Sequence, residues 1–310
     1  MANLKQLAAK AEPFSGGHRA CAGCGAPIVT RQVLLAAENP VVVGCATGCL
    51  EVTSSLFPFT SWRVPFIHNA FENSAASVSG VEAAYRSLKR QGKLPADKEI
   101  KFIAFGGDGG TYDIGLQSLS GAMERGHNML YVCYDNEAYM NTSIQRSSAT
   151  PKYASATTSP AGRVIPGKQQ FRKDLTSIMA AHNIPYVAQA TISHWNDLVT
   201  KVQKALAVQG PAFLNVLQPC RLGWIFEPQD TVEMAREAVD NCFWPLYEVV
   251  DGEWRLTYKP KEKKPIVEWL KKQGRFKHLF RPGHEDKLAE IQANVDREWD
   301  RLLKKCGETA

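Results

Sequence analysis

Two groups of residues in this 310-residue sequence have types and spacings that could do chemistry. The first is a carboxylate set in a glycine turn. Gly107-Asp108-Gly109-Gly110 follows the apolar run 100–105. Glycines after a strand let backbone amides approach a phosphate closely. A carboxylate in such a turn repels phosphate unless a cation bridges them, so Asp108 points to Mg²⁺ on a diphosphate. A second oxygen set follows the apolar run 129–134, in Asp135-Asn136-Glu137-Ala138-Tyr139-Met140-Asn141-Thr142. Asn136 offers a side-chain carbonyl and Ala138 a backbone carbonyl. Alone, Asn136 reads as a turn residue closing a strand, and the glycine turn matches neither G-x-G-x-x-G nor the P-loop. The pairing of the two, 28 residues apart, carries the signal.

The second group is cysteine. Cys21 and Cys24 form a CxxC among small residues, Cys49 follows 25 residues later in A-T-G-C, and Cys220 follows the run 212–217 in Q-P-C. Four cysteines at Gly/Pro-rich element ends suffice for one tetrahedral site. Spacing alone leaves three readings open: a [4Fe–4S] cluster, which suits scattered ligands; structural zinc, which more often uses two close pairs; or no metal. A redox CxxC is a weaker fourth, given the extra cysteines. Cys133 reads as a buried small hydrophobe, and Cys242 and Cys306 as structural.

Parallel strands would position these groups. Strands are expected at 41–44, 101–105, 129–134, 187–191 and 212–217, and helices at 27–37, 72–91, 113–125, 173–182 and 195–208. Near-continuous apolar strands alternating with helices predict an α/β fold, a parallel sheet with helices on both faces. Residues 143–170, rich in Ser, Thr, Pro and Gly, read as a long functional loop. The expected division is an α/β domain over 1–224 and a C-terminal subunit-docking arm over 225–310. That arm comprises a hairpin with an Asp251-Gly252 turn and an amphipathic helix over 285–306 that packs on another chain.

Hydrophobic residues are 44% and charged residues 22%, ordinary globular values that exclude collagen, low-complexity disorder and a disulfide mini-protein. No apolar run approaches the ~20 residues that span a bilayer, and the first residues lack a secretory h-region. A reducing, cytoplasmic setting is expected. Of the +6 net charge, residues 255–281 hold ten Lys/Arg against Glu262 and Glu268, a local +8. Such confinement reads as a docking surface for an acidic partner rather than for nucleic acid.

Together the motifs resemble the β subunit of 2-oxoacid:ferredoxin oxidoreductases, of the pyruvate:ferredoxin and oxalate oxidoreductase type. The matching stretches are GHRACAGCG (17–25), ATGCLEV (46–52), HNAFEN (68–73), GDGGTYDIG (107–115), DNEAYMNT (135–142), QRSSATP (145–151), PC..GW (219–224) and QGRF (273–276). They span nearly the whole chain. The resemblance implies the thiamine-diphosphate-binding fold, in its diphosphate-domain form. It implies cofactor binding by Ala26, Gly107, Asp108, Gly109, Gly110 and Asn136 through Asn141 (Glu137, Ala138, Tyr139 and Met140 included), with Mg²⁺ on Asp108, Asn136 and Ala138. One [4Fe–4S] cluster falls to Cys21, Cys24, Cys49 and Cys220, with Cys45 beside it. Asn141 and Cys49 would lie next to the reacting centre.

The implied reaction is oxidative decarboxylation of a small 2-oxoacid, pyruvate first and oxalate its main competitor, with electrons leaving through the cluster to ferredoxin. Coenzyme A would be the acyl acceptor if the substrate is pyruvate. The chain has a single GDG–Asn unit and no paired ferredoxin-type cysteine runs. The pyrimidine-binding domain and a ferredoxin-like two-cluster domain are therefore expected on partner subunits of a hetero-oligomer. Ser143, Ile144 and Arg221 depart from the pattern, where glycine, glycine and proline are common. Two alternatives are a non-oxidative thiamine-diphosphate decarboxylase or synthase subunit, which leaves the cysteines unexplained, and a zinc-stabilised non-catalytic interaction subunit, which leaves Asp108 and Asn136 unexplained.

Overall fold

The computed structural model describes residues 3–95 and 97–308. One eight-stranded sheet organises the chain. Its strands are β1 (Val41–Ala46), β2 (Phe66–Asn69), β3 (Lys101–Gly107), β4 (Leu130–Asp135), β5 (Tyr186–Thr191), β6 (Ala212–Leu217), β7 (Leu246–Val250) and β8 (Glu253–Tyr258), in the order β2-β1-β3-β4-β6-β5-β7-β8. The first six are parallel, and β7 and β8 add on antiparallel. The helices are α1 (Leu4–Ala8), α2 (Ala26–Ala36), α3 (Cys49–Ser54), α4 (Ser74–Arg90), α5 (Leu116–Glu124), α6 (Leu175–Ala180), α7 (Trp195–Ala207), α8 (Arg221–Trp224), α9 (Thr231–Asp240), α10 (Ile266–Lys271) and α11 (Glu285–Lys305).

The central strands are buried on both faces, which is why they read as continuous apolar runs. Alternate residues feed two cores. Val43, Ile103, Phe105, Leu130 and Val132 face α2 and α7, while Phe102, Ala104, Tyr131 and Phe213 face α4, α5 and α6. The five expected strands and five expected helices all occur with ends shifted by a few residues. The short elements α1, β2, α3, α8 and α10 were not expected, none being long enough to show a clear period; α9 was also missed, although its buried Thr231, Met234, Ala235, Ala238 and Val239 recur at helical spacing.

The C-terminal region corrects one expectation. β7 pairs with β5, so the hairpin lengthens the sheet instead of standing apart. Ile291, Val295, Trp299, Leu302 and Leu303 of α11 are buried in the same core as Trp244 and Trp269. The apolar stripe expected to pack on another chain is therefore covered by this one. The basic stretch is also largely answered within the chain. Arg255 pairs with Glu253, Lys259 with Glu308, Lys263 with Asp296, Lys264 with Asp240, Lys272 with Glu237 and Arg275 with Glu137.

Candidate active site

Because β1, β3, β4 and β6 run parallel, their C-terminal ends lie on one edge of the sheet, the edge where open α/β sheets bind ligands. β1 leads into Thr47-Gly48-Cys49, β3 into Asp108, β4 into Asn136, and β6 into Gln218-Pro219-Cys220. A narrow cleft there, with about 20 Å³ of free space, is lined by Thr47, Gly48, Cys49, Phe71, Gly107, Asp108, Gly109, Gly110, Tyr134, Asn136 and residues 138–142. Two of the residues expected to bind cofactor lie outside it. Ala26 opens α2, where its backbone N–H is directed at the Cys24 sulfur. Glu137 is fully buried on the other side of its turn, with Oε2 accepting from Arg275 Nη2 at 2.5 Å and Oε1 from Arg172 Nη1 at 3.0 Å.

Asp108 is 1% exposed. Its Oδ1 accepts from the Asn136 backbone N–H at 3.2 Å and its Oδ2 from Ser147 Oγ at 2.5 Å. Burial above all, and then the nearby Asp135 carboxylate, push its pKa well above the usual range. Asn136 is held by its backbone, whose carbonyl accepts from Trp224 Nε1 at 2.8 Å. Its side-chain end lies 3.0 Å from Asp108 Oδ1 and 2.9 Å from the Ala138 carbonyl oxygen, so the three expected Mg²⁺ ligands converge on one point. With the amide nitrogen turned inward, both contacts are hydrogen bonds. With the oxygen turned inward, three acceptors meet, an arrangement that suits a cation.

Tyr134 is a site residue that the sequence concealed. Its hydroxyl is buried without a hydrogen-bond partner, and its ring lines the cleft. A donor lacking an acceptor fits an anionic ligand. At the end of an apolar strand such a tyrosine reads only as core. Tyr139 packs tightly against Gly109: a Cβ on that glycine would lie 2.4 Å from the tyrosine ring.

The four expected cysteines come together from three segments. Burial pushes Cys24 up to about 12, with Cys220, Cys49 and Cys21 each raising it further. Burial pushes Cys49 up to about 11, with Cys220 and Cys21 adding to the rise and the nearby Asn141 amide opposing it. Cys220 caps α8 and accepts from the Gly223 N–H at 3.5 Å. The CxxC turn is pinned to the segment after Cys220: Thr231 Oγ1 donates to the Gly23 carbonyl at 2.6 Å. Gly23 has φ +73°, and a Cβ there would meet the Pro228 carbonyl at 2.4 Å, so only glycine fits. Cys45 stands apart in the core of β1, its thiol donating to the Ala46 carbonyl at 3.6 Å. Among the described residues, no three His, Cys, Asp or Glu side chains crowd around a point suited to a single ion.

At two of the three positions where the sequence departs from its motifs, the backbone shows why glycine is common. Ser143 and Ile144 adopt φ 82° and 62°, the left-handed region that glycine enters freely and a β-branched residue enters at a cost of about 1–2 kcal/mol. Ile144→Gly is expected to raise the melting temperature by a few degrees in a thermal scan; a fall would mean the isoleucine's packing outweighs its strain.

A cavity of about 580 Å³ is lined by Phe171, Trp244, Trp254 and Trp299 among others. It contains neither Asp108 nor any of the four clustered cysteines, so we place the site at the strand ends.

A parallel sheet whose glycine turn and asparagine turn converge at its C-terminal edge defines a thiamine-diphosphate-binding domain. The family described as "Thiamine pyrophosphate enzyme, C-terminal TPP binding domain" matches residues 43–216. The chain is 53% identical to pyruvate synthase subunit PorB of Thermotoga maritima, over 97% of this chain and 95% of that protein. It is 56% identical to the PorB subunit of Methanocaldococcus jannaschii (92% and 94%) and 41% identical to ketoisovalerate oxidoreductase subunit VorB of Pyrococcus abyssi (94% and 93%). The chain belongs to the 2-oxoacid:ferredoxin oxidoreductase β-subunit family. Its fold is also that of a 2-oxoglutarate:ferredoxin oxidoreductase chain from Magnetococcus marinus, with TM-score 0.56 at 19% identity, covering 74% of this chain and 81% of that one. Among the described residues no helix is long and apolar enough to cross a membrane.

Proposed function

We propose that this chain holds thiamine diphosphate, Mg²⁺ and one [4Fe–4S] cluster in a multi-subunit enzyme that oxidatively decarboxylates a small 2-oxoacid and reduces ferredoxin. Pyruvate is the favoured substrate, on the likeness to PorB subunits; oxalate and branched 2-oxoacids are its competitors. The observation that carries the reading is the adjacency of Asp108, Asn136 and the Ala138 carbonyl to the four cysteines: Cys49 and Asn141 line the same cleft as the three oxygens, and Cys220 and Cys21 lie close enough to Cys49 to raise its pKa.

Bound thiamine diphosphate supplies carbanion chemistry at the keto carbon, and the cluster takes up electrons singly. The chain's own part is positional. Asp108, the Asn136 side chain and the Ala138 carbonyl would hold Mg²⁺, and the Gly109 and Gly110 amides with the Tyr134 hydroxyl would face the diphosphate. Tyr139, packed on Gly109, would border the diphosphate. Cys21, Cys24, Cys49 and Cys220 would bind iron. The largely buried thiols of Cys24, Cys49 and Cys220, each pushed up by burial, would ionise together only around a cationic centre, with Cys21 as the exposed fourth ligand, and their spread suits a multi-atom cluster better than one tetrahedral zinc. Asn141, bridging towards Cys49, would orient substrate between the two groups. The pyrimidine-binding domain and the onward electron carriers would come from partner subunits.

Cys220→Ala tests the cluster assignment. The complex is expected to lose about four irons per copy of this chain and its dye-reducing activity while still binding thiamine diphosphate. Full activity with a viologen acceptor would remove Cys220 from the electron path.

A further inference from the structure

Gln218, just past the end of β6, has no part in the account above. It is 1% exposed, and its backbone N–H donates to the Asp135 carbonyl at 2.8 Å, which fixes it beside the Asn136 turn. On its other flank lies the residue after Cys24. A Cβ on Gly25 would come within 2.8 Å of Gln218 Cβ and 2.9 Å of its Oε1, so the glycine leaves room for the glutamine. The ends of the Gln218 and Asn136 amides are 2.9 Å apart. Gln218 Oε1 is buried and has no hydrogen-bond partner.

The two facing amides have two self-consistent arrangements. In the first, Asn136 Nδ2 donates to Asp108 Oδ1 and the Ala138 carbonyl, and Asn136 Oδ1 accepts from Gln218 Nε2. Gln218 Oε1 is then left over. In the second, Asn136 Oδ1 turns towards the other two oxygens and a cation among them. Asn136 Nδ2 now faces Gln218, whose amide turns over and presents Oε1. The orphaned oxygen gains its donor, Gln218 Nε2 takes over the unpartnered place, and the Asn136 carbonyl is held in the ligating orientation. A side chain with both a donor and an acceptor end serves both arrangements; an apolar side chain serves neither.

We propose that Gln218 is a positioning residue for the divalent cation, its amide turning over together with that of Asn136 when the cation binds. The proposal rests on Asp108, Asn136 and Ala138 being the cation's ligands. Groups that orient a metal ligand in this way typically change metal affinity about 10–100-fold when removed.

The test uses the whole complex, stripped of divalent cation and titrated with Mn²⁺ at fixed thiamine diphosphate. Bound Mn²⁺ is read by electron paramagnetic resonance and bound cofactor by tryptophan fluorescence. Gln218→Leu, and Gln218→Met as a closer match in shape, are expected to raise the Mn²⁺ concentration at half-saturation at least about tenfold. Iron content should be unchanged. Gln218→Glu, whose carboxylate accepts from Asn136 Nδ2, should stay at or below the wild-type value. Wild-type half-saturation in the apolar variants would overturn the proposal. So would equal weakening in all three variants, which would mark a packing role. Asp108→Ala, run alongside, separates the two levels: if it binds Mn²⁺ like the wild type, the ligand assignment itself is wrong and the proposal falls with it.

Discussion

Asp108→Ala should abolish thiamine diphosphate binding, by at least about 100-fold or roughly 2.7 kcal/mol, while leaving the iron content intact. Among the described residues Asp108 is the carboxylate at the convergence point of Asn136 and Ala138, so its loss removes the charge that would bridge protein to diphosphate through a cation. The change leaves the buried Asn136 N–H and Ser147 hydroxyl without this acceptor, a cost of about 1–3 kcal/mol per donor, so the assay is made on complex that remains assembled. Burial already raises the Asp108 pKa, so folding gains little from the ionised carboxylate. Desalted complex is assayed for thiamine diphosphate and iron. Loss of both together would mean that the two sites do not lie where we place them.

The second large effect is on stability. Arg275→Met should destabilise the chain by about 3–5 kcal/mol, because it strips one partner from a buried carboxylate. Glu137 and Arg275 are 0% and 3% exposed, and Arg275 also donates to Gln273 Oε1 at 2.7 Å and lies 4.0 Å from the Trp224 ring centre. Glu137 would keep only Arg172, which is shared with Asp135 at 2.8 Å. The melting temperature should fall by about 10 °C, and Glu137→Gln in the same chain should recover part of the loss. Arg255→Met, which breaks an exposed pair with Glu253, should change stability by less than about 0.5 kcal/mol. Equal effects at the two arginines would refute the argument from burial.

Glu137 also shows where reading residues in sequence runs out. It sits between Asn136 and Ala138, in a motif whose every position reads as cofactor-binding. Yet it takes φ 69°, and that backbone turn sends its side chain away from the cleft to meet Arg275, 138 residues on. No local pattern announces such a partner. The parallel strands were legible because burial on both faces leaves continuous apolar runs. Asp108, Asn136 and the four cysteines were legible because each closes such a run or sits in a glycine turn. Tyr134 and Gln218 were not: their significance lies in unpartnered buried atoms, which exist only once the chain has folded. The C-terminal region was misjudged for a related reason. Periodicity showed that α11 has an apolar stripe but not that Trp244 and Trp269 of the same chain would cover it.

The central claim is that one chain holds both a thiamine diphosphate site and a Cys21–Cys24–Cys49–Cys220 iron–sulfur site. Its most direct test is metal, sulfide and cofactor analysis of the complex purified without oxygen, with wild type compared against a variant carrying Cys21→Ala and Cys220→Ala. The account predicts that the variant loses about four irons per copy of this chain and keeps its thiamine diphosphate. Zinc in place of iron, or an iron content unchanged by the two substitutions, would contradict it.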